Sequence, residues 1–187
     1  MDGNSSLCYL PRQVRENAVS TRDSVRLRRC MVSKMGVAEL VISCTNWTGL
    51  RQVSGASSES VGAALSELLM APTPEAASAA YWRIENHAVV QGELFEVAEA
   101  CVRVLVAAFA DDRPRYVRIS ALELLFQILS GDSTDSNNPF SERCRNAARE
   151  GLWGLVREAI GGEQEAGWDV LKLMDLGERL VCLRDKA

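Results

Sequence analysis

A single histidine, His87, is present in 187 residues. A two-histidine metal site and a histidine relay are therefore excluded, and a catalytic triad could be built only once. Six cysteines (Cys8, Cys30, Cys44, Cys101, Cys144 and Cys182) are scattered with no Cys-x-x-Cys pair. They lack the spacing of a zinc site and read as reduced thiols of a cytoplasmic protein. Aromatics are 6% and prolines number five, which with abundant Ala, Leu, Val and Glu favours helix over strand. Nowhere does an apolar run approach the ~20 residues of a membrane span. Met1-Asp2-Gly3-Asn4 has no basic start and no apolar stretch follows, so no secretory signal is expected. Gly161-Gly162 lacks the lysine and the strand context of a phosphate loop.

What the chain does have is unevenly charged. Residues 1–50 hold seven Arg and Lys against four Asp and Glu, whereas residues 51–187 hold fourteen against twenty-one. An acidic body repels a phosphate backbone and suits a basic protein partner, so neither nucleic acid nor membrane is expected as a partner. The spacing of the acids asks for no catalysis either. Glu93, Glu96 and Glu99 follow a helical face that solvation explains.

The division expected is a basic extension over 1–44 and a helical body over 45–187. Arg12, Arg15, Arg22, Arg26, Arg28, Arg29 and Lys34 carry the charge of the first part. Its Ser- and Arg-rich composition resembles an organelle transit peptide; a loosely ordered extension, or a start at Met31 or Met35, is the plainer reading. Val37 to Ile42 could be a strand or one helical segment, because so short a run has no decisive period.

In the body, Val61, Ala64, Leu65, Leu68 and Leu69 share one face of a helix from Glu59 to Met70, capped by Ser57 or Ser58. Thr73-Pro74 opens a second helix with Ala76, Ala80, Ile84 and Ala88 inward. A turn at Gln91-Gly92 leads to a helix whose apolar set runs from Phe95 to Phe109. Asp-Asp-Arg-Pro then turns the chain into another, with Val117, Ala121, Leu124, Leu125 and Ile128 inward. Ser141 caps a helix reaching Ile160, Gly161-Gly162 breaks it, and a last helix follows from Glu163 through Met174, continuing past Gly177 to Leu183. Trp153 and Trp168 read as core or seam residues.

Internal similarity joins these helices into pairs. Asp111-Asp112-Arg113-Pro114-Arg115-Tyr116-Val117-Arg118 leads into Ala121 and Leu125, Ser141-Glu142-Arg143-Cys144-Arg145 into Ala148 and Leu152, and Pro72-Thr73-Pro74-Glu75-Ala76 into Ala80 and Ile84. Helix starts near 59, 93 and 141 alternate with starts near 74, 115 and 163, roughly the 40–47-residue period of a helical repeat. The stretch Ile84 to Ala98, with His87 and Gln91-Gly92, also resembles bacterial HEAT-like proteins, and the resemblance covers residues 46–175. It implies an all-α fold, a short right-handed α-solenoid of about three antiparallel helix pairs. It implies a non-catalytic protein-binding module without cofactor or metal, one concrete form being an immunity protein that neutralises a basic toxin. HEAT-like families also include DNA glycosylases and small-molecule or pigment-handling proteins, which stand as alternatives.

Aligned on Ala80, Ala121 and Ala148, the repeats bring Trp82, Glu123 and Glu150 to one outward position, with Asn86 and Gln127 four residues on. In a stacked repeat such positions make a continuous ridge. An aromatic, two carboxylates and two amides would supply an anchor, charge complementarity and hydrogen bonds to a basic partner.

Overall fold

A computed structural model describes residues 35–131 and 140–174, with Leu176 and Leu180. The expectations placed on residues 1–34, on the polar loop 132–139 and on most of the chain beyond Met174 lie outside the described residues. From Gly36 onward the described residues belong to one compact unit. Predominantly helical, it carries α1 (Val37–Cys44), a 3-10 turn at Trp47–Gly49, α2 (Glu59–Leu69) and α3 (Pro74–Ala88). Strands β1 (Val89–Val90) and β2 (Glu93–Leu94) follow, then α4 (Val97–Ala108), α5 (Arg115–Ser130), α6 (Phe140–Glu150), α7 (Leu152–Gly161) and α8 (Gln164–Leu173).

The helix α4 is the centre. Val97, Ala98, Cys101, Val102, Val104 and Leu105 are all fully buried, so the helix is apolar on nearly every side, as only an enclosed helix can be. Against it pack α1, α5 and α6. A second layer is formed by α3, α5 and α8, with α5 in contact with both of the others. Further contacts join α2 to α3 and α7 to α8. Leu125 of α5 is fully buried, in agreement with the phase read from the sequence.

Several local expectations change. Ser58 occupies the N-cap position of α2 yet makes no cap bond; its buried hydroxyl donates instead to the Leu50 carbonyl at 3.0 Å. Thr73 does cap α3, accepting from the Ala76 amide at 3.2 Å, with Pro74 behind it. The Gln91-Gly92 turn exists, but it closes a two-residue β-hairpin. Both residues take positive φ (52° and 84°), as a type I′ turn requires, and α4 therefore starts at Val97 rather than near Glu93.

The single helix expected from Ser141 to Ile160 is broken at Gly151 into α6 and α7. A Cβ on Gly151 would stand 2.3 Å from the Val106 Cβ, so α4 approaches the junction closely enough that only glycine fits.

Val37–Cys44 is a helix and packs with the body, although the expected boundary fell just after it. Arg113, before α5, is 9% exposed and donates to Glu39 of α1 at 2.8 Å, to Asp111 at 2.9 Å and to the Leu69 carbonyl at 3.1 Å. Asp111 in turn accepts the Val37 amide at 3.0 Å, near the start of α1. Trp47 continues the attachment: its indole donates to the Ile42 carbonyl at 2.9 Å while the ring lies against Gly62 of α2.

Candidate docking face

The α3–α5–α8 layer turns one side outward, and its side chains are unlike an ordinary solvated face. On α3 the inward residues are Ala77, Ala80, Ile84 and Ala88, which leaves Trp82 outward and 55% exposed. Its ring meets the Tyr81 ring edge-on, with centroids 5.2 Å apart and planes at 85°. Tyr81 is half-buried, on the side of α3 that faces α5. On α5 the inward set leaves Glu123, Phe126 and Gln127 exposed, Phe126 at 39%. Two large aromatic rings, Trp82 and Phe126, are thus exposed on neighbouring helices of this layer.

Tyr81 of α3, Leu122, Glu123, Phe126 and Gln127 of α5, and Ala166 and Asp169 of α8 line a notch of about 290 Å3. The Tyr81 phenol is held above its usual range, first by burial and then by the negative charges of Glu85 and Glu123. Among the described residues Glu85 and Glu123 form no ion pair, whereas Asp169 is held by Lys172 at 2.7 Å. The positive Arg83 of α3 is already engaged by Glu67 of α2 at 2.5 Å.

Four of the five residues singled out from the sequence thus lie on neighbouring helices of this layer: Trp82 and Asn86 on α3, Glu123 and Gln127 on α5, all exposed. The fifth, Glu150, lies elsewhere. It ends α6, which packs on α4, and Arg103 of α4 holds it at 2.5 Å. The correct third member of the layer is α8, matching the helix start near 163 and not the alignment on Ala148. Ala148 is fully buried, but it faces a different neighbour. Phe126 and Asp169 were missed. For Phe126 the signal was available, since it falls outside the inward set of its own helix; for Asp169 it was not, because the α5–α8 contact joins residues far apart in the chain.

Two other depressions open on the described surface. One, of about 430 Å3, lies among Val37 and Val41 of α1, Val106 and Ala107 of α4, and Trp153 of α7. Trp153 is 77% exposed, contrary to its expected place in the core or a seam; Trp168 is half-buried. The other, of about 450 Å3, surrounds the buried Glu158, which accepts from Arg118 at 3.3 Å on both oxygens and so ties α7 to α5. Arg157 beside it donates to the Phe109 carbonyl. His87 is half-buried on α3, its Nδ1 enclosed without a hydrogen-bond partner. Cys101 and Cys144 are buried free thiols, and burial pushes both up, Cys144 to about 12, far from a reactive thiolate. Among the described residues no group of three or more His, Cys, Asp or Glu side chains gathers to hold a metal, and no helix is long and apolar enough to cross a membrane.

The chain matches no protein-family model, no curated protein and no solved structure.

Proposed function

We propose that this protein is a non-catalytic, cytoplasmic protein-binding module of HEAT-like, right-handed solenoid type, and that the α3–α5–α8 face docks a basic protein. In this reading α2/α3, α4/α5 and α7/α8 are the helix pairs, and α3, α5 and α8 supply the exposed layer. One observation carries it. Trp82 and Phe126 stand exposed on the same layer as Glu85 and Glu123, two carboxylates with no ion-pair partner among the described residues. Exposed aromatic anchors beside uncompensated charge are the composition of an interface core and its rim. Neutralisation of a toxin is a specific form of the same activity.

The alternative of nucleic-acid binding is disfavoured by the same charges, which would repel phosphates, and by an excess of seven acidic residues over residues 51–187 (twenty-one against fourteen). The test compares the wild-type chain with a Glu85→Lys/Glu123→Lys variant. Each is immobilised and offered a cell lysate at low and moderate salt, and retained proteins are identified by mass spectrometry. Retention of discrete basic proteins by the wild type and their loss from the charge-reversed variant is expected, with unchanged melting. Equal retention by both would move the docking surface elsewhere. A salt-sensitive shift of a DNA duplex by the wild type would favour the nucleic-acid reading.

A further inference from the structure

We infer that the notch bounded by Tyr81, Glu123, Phe126 and Asp169 receives one arginine side chain of the protein that docks on this face. This deepens the docking proposal and rests on it. Size is the first argument. About 290 Å3 falls just below the roughly 300–1,000 Å3 of sites that enclose cofactors and drug-sized ligands, but it accommodates a single long side chain.

The lining then selects the kind of side chain. Leu122 supplies an apolar floor for a methylene stem. Glu123 on α5 and Asp169 on α8 bring two acidic residues to the lining, a polarity that rejects phosphate and carboxylate groups and attracts a cation. Tyr81 from α3 and Phe126 from α5 place aromatic rings in the same lining. A planar guanidinium can stack on a ring while keeping its edge donors for carboxylates; a lysine ammonium, compact and strongly hydrated, uses the rings less well.

The site also carries its own competitor. Lys172 donates to Asp169 at 2.7 Å, and the two side chains are 63% and 49% exposed. An exposed pair of this kind is exchanged readily for an incoming cation. Asp169 is thereby kept neutralised in the free protein and released when the partner's arginine arrives. Glu85, one helical turn from Tyr81 on α3, adds negative potential.

The experiment uses the whole chain, labelled with 15N, and three small probes: Nα-acetyl-arginine amide, Nα-acetyl-lysine amide and the neutral isostere Nα-acetyl-citrulline amide. Saturable shifts of backbone amides around Tyr81, Glu123, Phe126 and Asp169 are expected with the arginine probe. The lysine probe should bind several-fold more weakly, and the citrulline probe should give no saturable shift. Glu123→Gln should weaken the arginine probe by about fivefold, the scale of one partly solvated charge pair. Phe126→Ala should bring arginine and lysine towards parity.

Equal binding of citrulline, shifts centred on other carboxylates, or none up to the solubility of the arginine probe would overturn the inference. The two proposals fail separately. Silent arginine titration together with partner retention that is lost on charge reversal refutes the notch and keeps the face. Arginine binding in the notch with retention untouched by charge reversal shows a guanidinium site but refutes the face, and with it a docked partner as the source of the arginine.

Discussion

Arg113 and Glu39, 74 positions apart, meet at 2.8 Å and join the first described helix to the turn between α4 and α5. Arg113 is only 9% exposed and Glu39 is 20% exposed, so the contact is largely shielded from water. Their partners extend the joint. Asp111 bridges Arg113 and the Val37 amide, and Arg113 also holds the carbonyl of Leu69, the last residue of α2. Through one guanidinium, α1 becomes part of the body.

Removing α1 should therefore matter. A chain beginning at Gly36 should melt at nearly the temperature of the full chain. A chain beginning at Thr45 loses Glu39, the buried Ala38 and the Ile42 carbonyl that anchors Trp47, and leaves Arg113 with a buried charge short of a partner. Asp111 still faces Arg113, so the cost stays below the roughly 3–5 kcal/mol of a buried charge left with no partner. Equal melting temperatures for the two truncated chains would show that α1 contributes nothing.

The same joint should respond to acid. Hydrogen bonding from Arg113 is the largest cause holding the Glu39 carboxyl below its usual value of 4.5. A depressed folded-state value means that the charged form stabilises the fold above the usual carboxylate range, and that this contribution is lost as pH falls through the lower folded value. Glu39→Gln should thus be less stable than wild type at pH 7, and the difference should narrow below about pH 4.5. Thermal melts of both chains across that range check it; a difference that stays constant with pH contradicts it.

Leu125 lies fully buried on α5, which packs on α4. Leu125→Ala should cost about 2–5 kcal/mol by lost transfer energy and the cavity left behind. Denaturant unfolding measures it, and a loss below about 1 kcal/mol would mean that the site collapses without penalty.

Two glycines on either end of α7 should behave oppositely. At Gly151 a Cβ would overlap Val106, so Gly151→Ala should cost about 1–3 kcal/mol through forced movement of α4. At Gly161 nothing lies within 4 Å, and Gly161→Ala should be neutral or stabilising by up to about 1 kcal/mol. Comparable losses at both would mean that backbone freedom, not the approach of α4, selects glycine at 151.

The helical elements were legible because their inward faces repeat with the helix period: Val61, Leu65 and Leu68, or Val117, Ala121 and Leu125, mark one side each. Thr73-Pro74 announced a helix start by local chemistry alone. Less was legible where two local signals competed. Ser58 has the residue type of a cap, yet a carbonyl eight positions back claims its hydroxyl. Gln91-Gly92 announces a turn without saying whether helix or hairpin flanks it.

The candidate face divides along the same line. Which residues point outward from α3 and α5 follows from each helix's own periodicity, so Trp82, Asn86, Glu123 and Gln127 could be chosen in advance. Which helix stands third in the row could not, because α6 and α8 are both amphipathic and both follow α5 at a distance in the chain that breaks the repeat period. Helix period depends on neighbours three and four residues away and is written in the chain. The order of helices in a layer depends on which apolar faces fit one another across long separations. Here α6 packs on α4, which comes close to Gly151 at its end, and α8 completes the layer beside α5.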